Sequence, residues 1–103
     1  MGTYIVTTNI SPEFRKAHFE ALKPGGELPG DIAPHVEAHV KYMKELSSTG
    51  KILTGGPTVA FTWAISLIIA DSLEEAKSIA ENDPAVKAGL FTDLKAEPWY
   101  HLV

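Results

Sequence analysis

Few side chains in this sequence can move a proton or hold an ion, and their spacing narrows the chemistry. His35 and His39 lie four residues apart within Asp31–Ser48, a stretch with helical patterning. At about 100° per residue, Tyr42, His35, Leu46, His39, Met43, Val36 and Val40 share one arc. Glu37, Lys41, Lys44 and Glu45 fall on the opposite arc. Two imidazoles are thus expected one turn apart on the apolar half of a helix, where each needs a hydrogen-bond partner. Three readings stay open. The pair could complete a polar core bonded to backbone or water. It could do general acid–base work, which suits a neutral imidazole. It could also place two nitrogens on one metal ion. The metal reading needs a third ligand, and Glu27, Asp31 and Asp83 have no diagnostic spacing. With no His-Glu-x-x-His present, no metal is expected.

Asp83 precedes Pro84, the arrangement of a helix N-cap followed by proline at the first helical position. A carboxylate there can also orient an imidazole. Gly55-Gly56-Pro57 reads as a tight turn after a strand, and its glycines would let a ligand come close to the backbone. It lacks the lysine and spacing of a phosphate-cradling loop. Cysteine is absent, so thiolate nucleophiles, thiolate metal sites and disulfides are excluded. No Gly-x-Ser-x-Gly elbow occurs, which leaves a serine hydrolase unsupported. No cofactor fingerprint is present and no cofactor is expected. His18 has no identifiable partner, and His101 reads as a surface residue. Trp63, Trp99 and Tyr100 read as core or interface residues.

The elements that must position these groups follow from local signals. Thr3–Thr8 is β-branched and aromatic, as in a strand. Ser11 caps a helix from Pro12 to about Leu22, with Phe14, Ala17, Ala21 and Leu22 as its buried stripe. The stretch from Lys23 to Gly30 is a glycine- and proline-rich loop, long enough to suggest a functional or mobile role. Asp31 is expected to cap the histidine helix, and Gly50 to end it. Lys51–Thr54 reads as a strand, and Phe61–Ala70 as a second strand buried on both faces. Ser72 and Glu75 form a capping box for a helix that buries Leu73, Ala76, Ile79 and Ala80. Leu94–Tyr100 is the last strand, and Pro98 confines it to a sheet edge or end.

The order β, α in two pieces, β, β, α, β is a split β-α-β arrangement. It implies an α+β fold, a four-stranded antiparallel sheet with helices on one face. Trp63, Ile65, Leu67 and Ile69 would then line the opposite face, and an apolar patch of that kind marks an interface. A homodimer is the expected cover.

A chain of 103 residues fits one domain spanning 1–103. Net charge is −4 and no basic run occurs, so nucleic acid is not an expected partner. The N-terminus does not read as a signal peptide. The longest apolar stretch, Phe61–Ala70, is too short to cross a bilayer. A soluble, cytoplasmic protein without membrane partners is expected.

Several runs together resemble the YciI-like, or YCII-related, family. They are His39-Val-Lys-Tyr-Met-Lys-Glu-Leu, Gly50-Lys-Ile-Leu-Thr-Gly-Gly56-Pro57 and Asp71-Ser72-Leu-Glu-Glu75-Ala76. Asn82-Asp83-Pro84-Ala-Val-Lys-Ala-Gly89-Leu and Glu97-Pro98-Trp99 complete the match. The resemblance implies a ferredoxin-like βαββαβ sandwich pairing into a dimeric α/β barrel. It also implies a His39–Asp83 active site and a kinship with small enzymes of ring cleavage and dehalogenation, a dehydrochlorinase among them. The family commonly has an arginine shortly before the helix histidine. Here Val36-Glu37-Ala38 stands there, with His35 one turn earlier as a candidate substrate contact.

The expected function is acid–base proton transfer of lyase, isomerase or dehydrochlorinase type on a small carbonyl or ring compound. His39 and Asp83 would be catalytic, and His35, Tyr42, Gly56 and Pro57 would line the ligand site beneath the loop at Lys23–Gly30. The alternative is a non-catalytic homodimer that binds a small ligand or serves as an accessory protein.

Overall fold

The computed structural model describes residues 1–100 and Leu102; His101 lies outside the described residues. The elements are β1 (Gly2–Ile10), α1 (Pro12–Ala21), α2 (Ala33–Ser48), β2 (Ile52–Pro57), β3 (Trp63–Ala70), α3 (Leu73–Glu81), α4 (Pro84–Lys87) and β4 (Phe91–Pro98). The strands form one antiparallel sheet in the order β2-β3-β1-β4. This is the ferredoxin-like α+β arrangement, with the helices on one sheet face.

Alternation along the strands decides which face is covered. Val6, Thr8 and Ile10 of β1 are buried, as are Ile68 and Ala70 of β3. These side chains share the helix-facing side. Ala76 and Ala80 of α3 pack on them, joined by the half-buried Met43 and Leu46 of α2. A second cluster forms beyond it from Ile10, Phe14, Phe61, Ala85 and Leu90. Phe14 meets Phe61 edge-on at 5.0 Å, which ties α1 to the turn between β2 and β3.

Several expected boundaries move. The Gly55-Gly56-Pro57 turn is instead the end of β2, and the chain reverses over residues 58–62. The edge position of β2 tolerates a proline that donates no ladder bond. Gly55 is needed because a Cβ there would sit 3.1 Å from the Ser66 Cβ. Phe61 leaves the strand and takes a positive φ of 57° within that turn. β3 is covered on one face only: Trp63 is 43% and Ile65 36% exposed.

α2 begins without a side-chain cap, at Ile32 and not at Asp31. A turn supplies the start instead, with the Ala33 amide donating to the Pro29 carbonyl. Its end does follow the expectation for Gly50. That residue adopts φ 74°, with Gly50 N–H to Ser47 O and Lys51 N–H to Leu46 O in the Schellman pattern. Leu22 is exposed, so the stripe of α1 narrows to Phe14 and Ala17. Ser72 accepts the Glu75 amide as its cap requires. Among the described residues, no helix is long and apolar enough to cross a membrane.

Candidate active site

The site starts from a local event, the end of α3. Asn82 closes that helix, and Asp83 takes extended backbone angles (φ −60°, ψ 126°) before Pro84 starts α4. Its Oδ1 accepts the Ala85 amide at 2.9 Å, the N-cap bond expected from the Asp-Pro pair. Capping therefore fixes the carboxylate, and the fixed carboxylate points at α2. There the His39 Nδ1 lies 2.7 Å from Oδ2 and 2.9 Å from Oδ1.

The tautomer is assigned from the chemistry of an ionised carboxylate. A carboxylate can only accept, so Nδ1 carries the proton and donates it. The neutral ring then keeps its lone pair on Nε2, the form of a general base. Phe91 holds the ring plane from the side, edge-on at 5.1 Å and 75°. Asp83 is 6% exposed and the His39 side chain 22%, so the carboxylate is shielded while the ring stays partly accessible.

His39 and Asp83 both border a cavity of about 440 Å³ between α2 and the sheet. That is a size typical of small-molecule sites. Val6, Met43, Ile68, Phe91 and Leu94 make its walls largely apolar, and Gly55, Gly56 and Pro57 of β2 form part of its rim. A Cβ at Gly56 would meet nothing within 4 Å, so that backbone stands open.

Tyr42 also lines the cavity, and its hydroxyl donates to the Ile79 carbonyl at 2.7 Å. Burial first, and then the negative charge of Asp83, hold this phenol above its ordinary 10.0. A raised folded value means the folded state favours the neutral phenol. The linked stability is complete below the unfolded value and is lost as pH rises through the folded one. Unfolding followed across alkaline pH should therefore show a loss of stability above about pH 10 in the native chain. Tyr42→Phe should remove that component and cost stability at neutral pH through the lost bond to Ile79. An unchanged alkaline limb in the variant would assign the loss to other groups.

His35 does not join this group. It is exposed on α2 and absent from the cavity wall, because the buried arc centres on Val36, His39, Met43 and Leu46. Val40 likewise is 44% exposed. Among the described residues, no three His, Asp or Glu side chains converge as a metal ion would require. The residues from Lys23 to Gly30 are not part of the cavity wall either. His18 does have a partner: its ring stacks on Phe61 at 3.8 Å and 5°. Sequence reading missed this because it placed Phe61 inside a strand. Thr8 and Ser66 were missed as cavity residues too. The alternation of β1 and β3 was the available signal, once the helix-facing side was known.

Fold and site together define a ferredoxin-like domain with a part-buried histidine–carboxylate pair opening on a cavity of about 440 Å³. The chain belongs to the YCII-related domain family, whose pattern matches residues 14–100. It is 30% identical over 73 residues to an uncharacterised protein of Haemophilus influenzae, covering 61% of this chain and 74% of that one. Among solved structures it is similar to 5-chloro-2-hydroxyhydroquinone dehydrochlorinase from Burkholderia phenoliruptrix AC1100, in complex with 2,5-dihydroxybenzoquinone. The TM-score is 0.68 at 26% identity, over 96% of this chain and 94% of that one.

Proposed function

We propose that this protein is an acid–base enzyme of lyase or isomerase type, acting on a small ring compound that carries hydroxyl or carbonyl groups. The observation that carries the reading is the His39–Asp83 hydrogen bond at the wall of the cavity. The likeness to a dehydrochlorinase with a ring ligand supports the same class. Nε2 of His39 takes a proton from carbon or hydroxyl of the substrate. The released electron pair forms a new double bond. In an elimination, chloride leaves with its own bonding pair, so the reaction needs no oxidant or reductant. In an isomerisation, the imidazolium returns the proton elsewhere on the ring. Asp83 holds Nδ1–H and stabilises the imidazolium while it lasts. Tyr42, Gly56 and Pro57 shape the walls, and His35 is left as a contact for a charged group outside the cavity.

We also propose that the protein works as a homodimer, in the manner of a dimeric α/β barrel, through the sheet face that the helices leave bare. That face carries the exposed Trp63 and Ile65 and the half-buried Ile5, Leu67 and Ile69, an apolar row that the helices do not cover.

Ring binding is checked by following the His39 imidazole nitrogens by NMR while adding 2,5-dihydroxybenzoquinone and its chlorinated and hydroxylated relatives. The Nε2 signal should move on ligand addition and Nδ1 should remain proton-bearing. If no compound of this class perturbs His39, the ring-substrate reading fails.

A further inference from the structure

Thr8 is 8% exposed and sits on β1 between Val6 and Ile10, on the side that faces the helices. A valine would fill that position without a hydroxyl to satisfy. The Thr8 hydroxyl makes no hydrogen bond to another described residue. Yet among the described residues no side-chain oxygen or nitrogen is both sealed and unpartnered. The hydroxyl must therefore be open to something, and Thr8 borders the His39 cavity. The small accessible area of Thr8 thus lies on a residue of that cavity's lining.

Ser66 repeats the pattern on the next strand. It is half-buried, borders the same cavity and has no side-chain bond to another described residue. Register places Ser66 opposite Val6 and Ala64 opposite Thr8. Thr8 and Ser66 are therefore diagonal neighbours on one face, roughly 7–8 Å apart at the backbone and closer at Cβ. Two free hydroxyls thus stand on the sheet floor of a cavity whose other polar lining includes Tyr42, Lys44, Ser47 and Thr54, and His39 and Asp83 stand on its helix side.

We propose that Thr8, assisted by Ser66, is a ligand-binding residue that selects rings bearing at least two oxygens and, by holding those oxygens on the sheet floor, presents the rest of the ring to His39. This rests on the reading of the cavity as a ring-compound site. The flat ring fills the apolar space between β1, β3 and α2. One ring oxygen exchanges a hydrogen bond with the Thr8 hydroxyl and the other with that of Ser66. Rings with a single oxygen leave one hydroxyl unpaired and bind less well.

The test is calorimetric binding of 2,5-dihydroxybenzoquinone to the full-length wild type and to Thr8→Val, Thr8→Ser and Ser66→Ala. Thr8→Val should weaken binding about tenfold, the worth of one good hydrogen bond. It should also melt no lower than the wild type, since valine suits a buried strand position. Thr8→Ser keeps the hydroxyl and should bind within about twofold of wild type, and Ser66→Ala should lose about fivefold. Equal binding by wild type and Thr8→Val overturns the assignment while leaving the site reading intact. Equally weak binding by Thr8→Ser and Thr8→Val also overturns it, because shape and not the hydroxyl would then be at work. A wild type that does not bind the quinone overturns the ring-site reading and this assignment with it.

Discussion

Turnover of the ring substrate should fall by about 10²–10⁴ in His39→Ala, the usual contribution of a positioned general base. Asp83→Asn should come close to the same loss by a different route. The asparagine Oδ1 can still accept the Ala85 amide, so the start of α4 survives. What changes is the group offered to Nδ1. An amide NH₂ in place of a carboxylate oxygen favours Nδ1 as acceptor and moves the ring proton to Nε2. The base then points the wrong way at an intact site. Asp83→Ala removes the cap as well, at a further cost of about 1 kcal/mol in stability. The three variants thus separate chemistry from structure: kcat/KM for all three, set beside thermal unfolding. Asn at position 83 should be inactive but nearly as stable as wild type, whereas Ala should be both inactive and less stable. An active Asp83→Asn alongside an inactive His39→Ala would remove Asp83 from the mechanism and leave it a cap alone.

How much of this was legible beforehand differs from residue to residue. The Asp83 cap was readable because capping is local: an Asx residue before proline declares itself within three positions. The Gly50 helix stop was readable for the same reason. Asp83 reaching His39 was not, because 44 residues separate them and only packing of α2 on α4 joins them. Family resemblance supplied that pairing where the local signals could not. His35 misled because a helical wheel ranks residues by angle, and it cannot tell the centre of a buried face from its margin. Gly55-Gly56-Pro57 misled because composition signals a turn with equal strength wherever the strand lies. Only the sheet order shows that β2 is an edge strand, and an edge accepts such residues. Thr8 was hidden in a run of β-branched residues that any strand would favour. Its meaning appears when the tertiary structure leaves its hydroxyl without a partner.

Leu67→Lys should convert the proposed dimer into a monomer without unfolding it. The expectation follows from which side of β3 each residue takes. Ile68 and Ala70 face the core and are almost fully buried, at 1% and 3% exposure. Leu67 faces the other way, opposite Ile5 on β1, with Ile65 and Ile69 two residues to either side. It lies at the centre of the bare face and not in the hydrophobic core. In a lone chain, a lysine there can extend its ammonium into water, so the fold should tolerate it. In a dimer closed through this face, the charge would be buried without a partner, at a cost of several kcal/mol. At 1.4 kcal/mol per tenfold, that weakens association by about 100-fold or more. Sedimentation at micromolar concentration should show the wild type at twice the chain mass and Leu67→Lys at the chain mass, with the same helix and sheet content by circular dichroism. The cavity-side pair His39–Asp83 should remain formed, since it lies on the opposite side of the sheet. A wild type that sediments as a single chain, or a lysine variant that still pairs, would show that the apolar face of β1 and β3 has some other role.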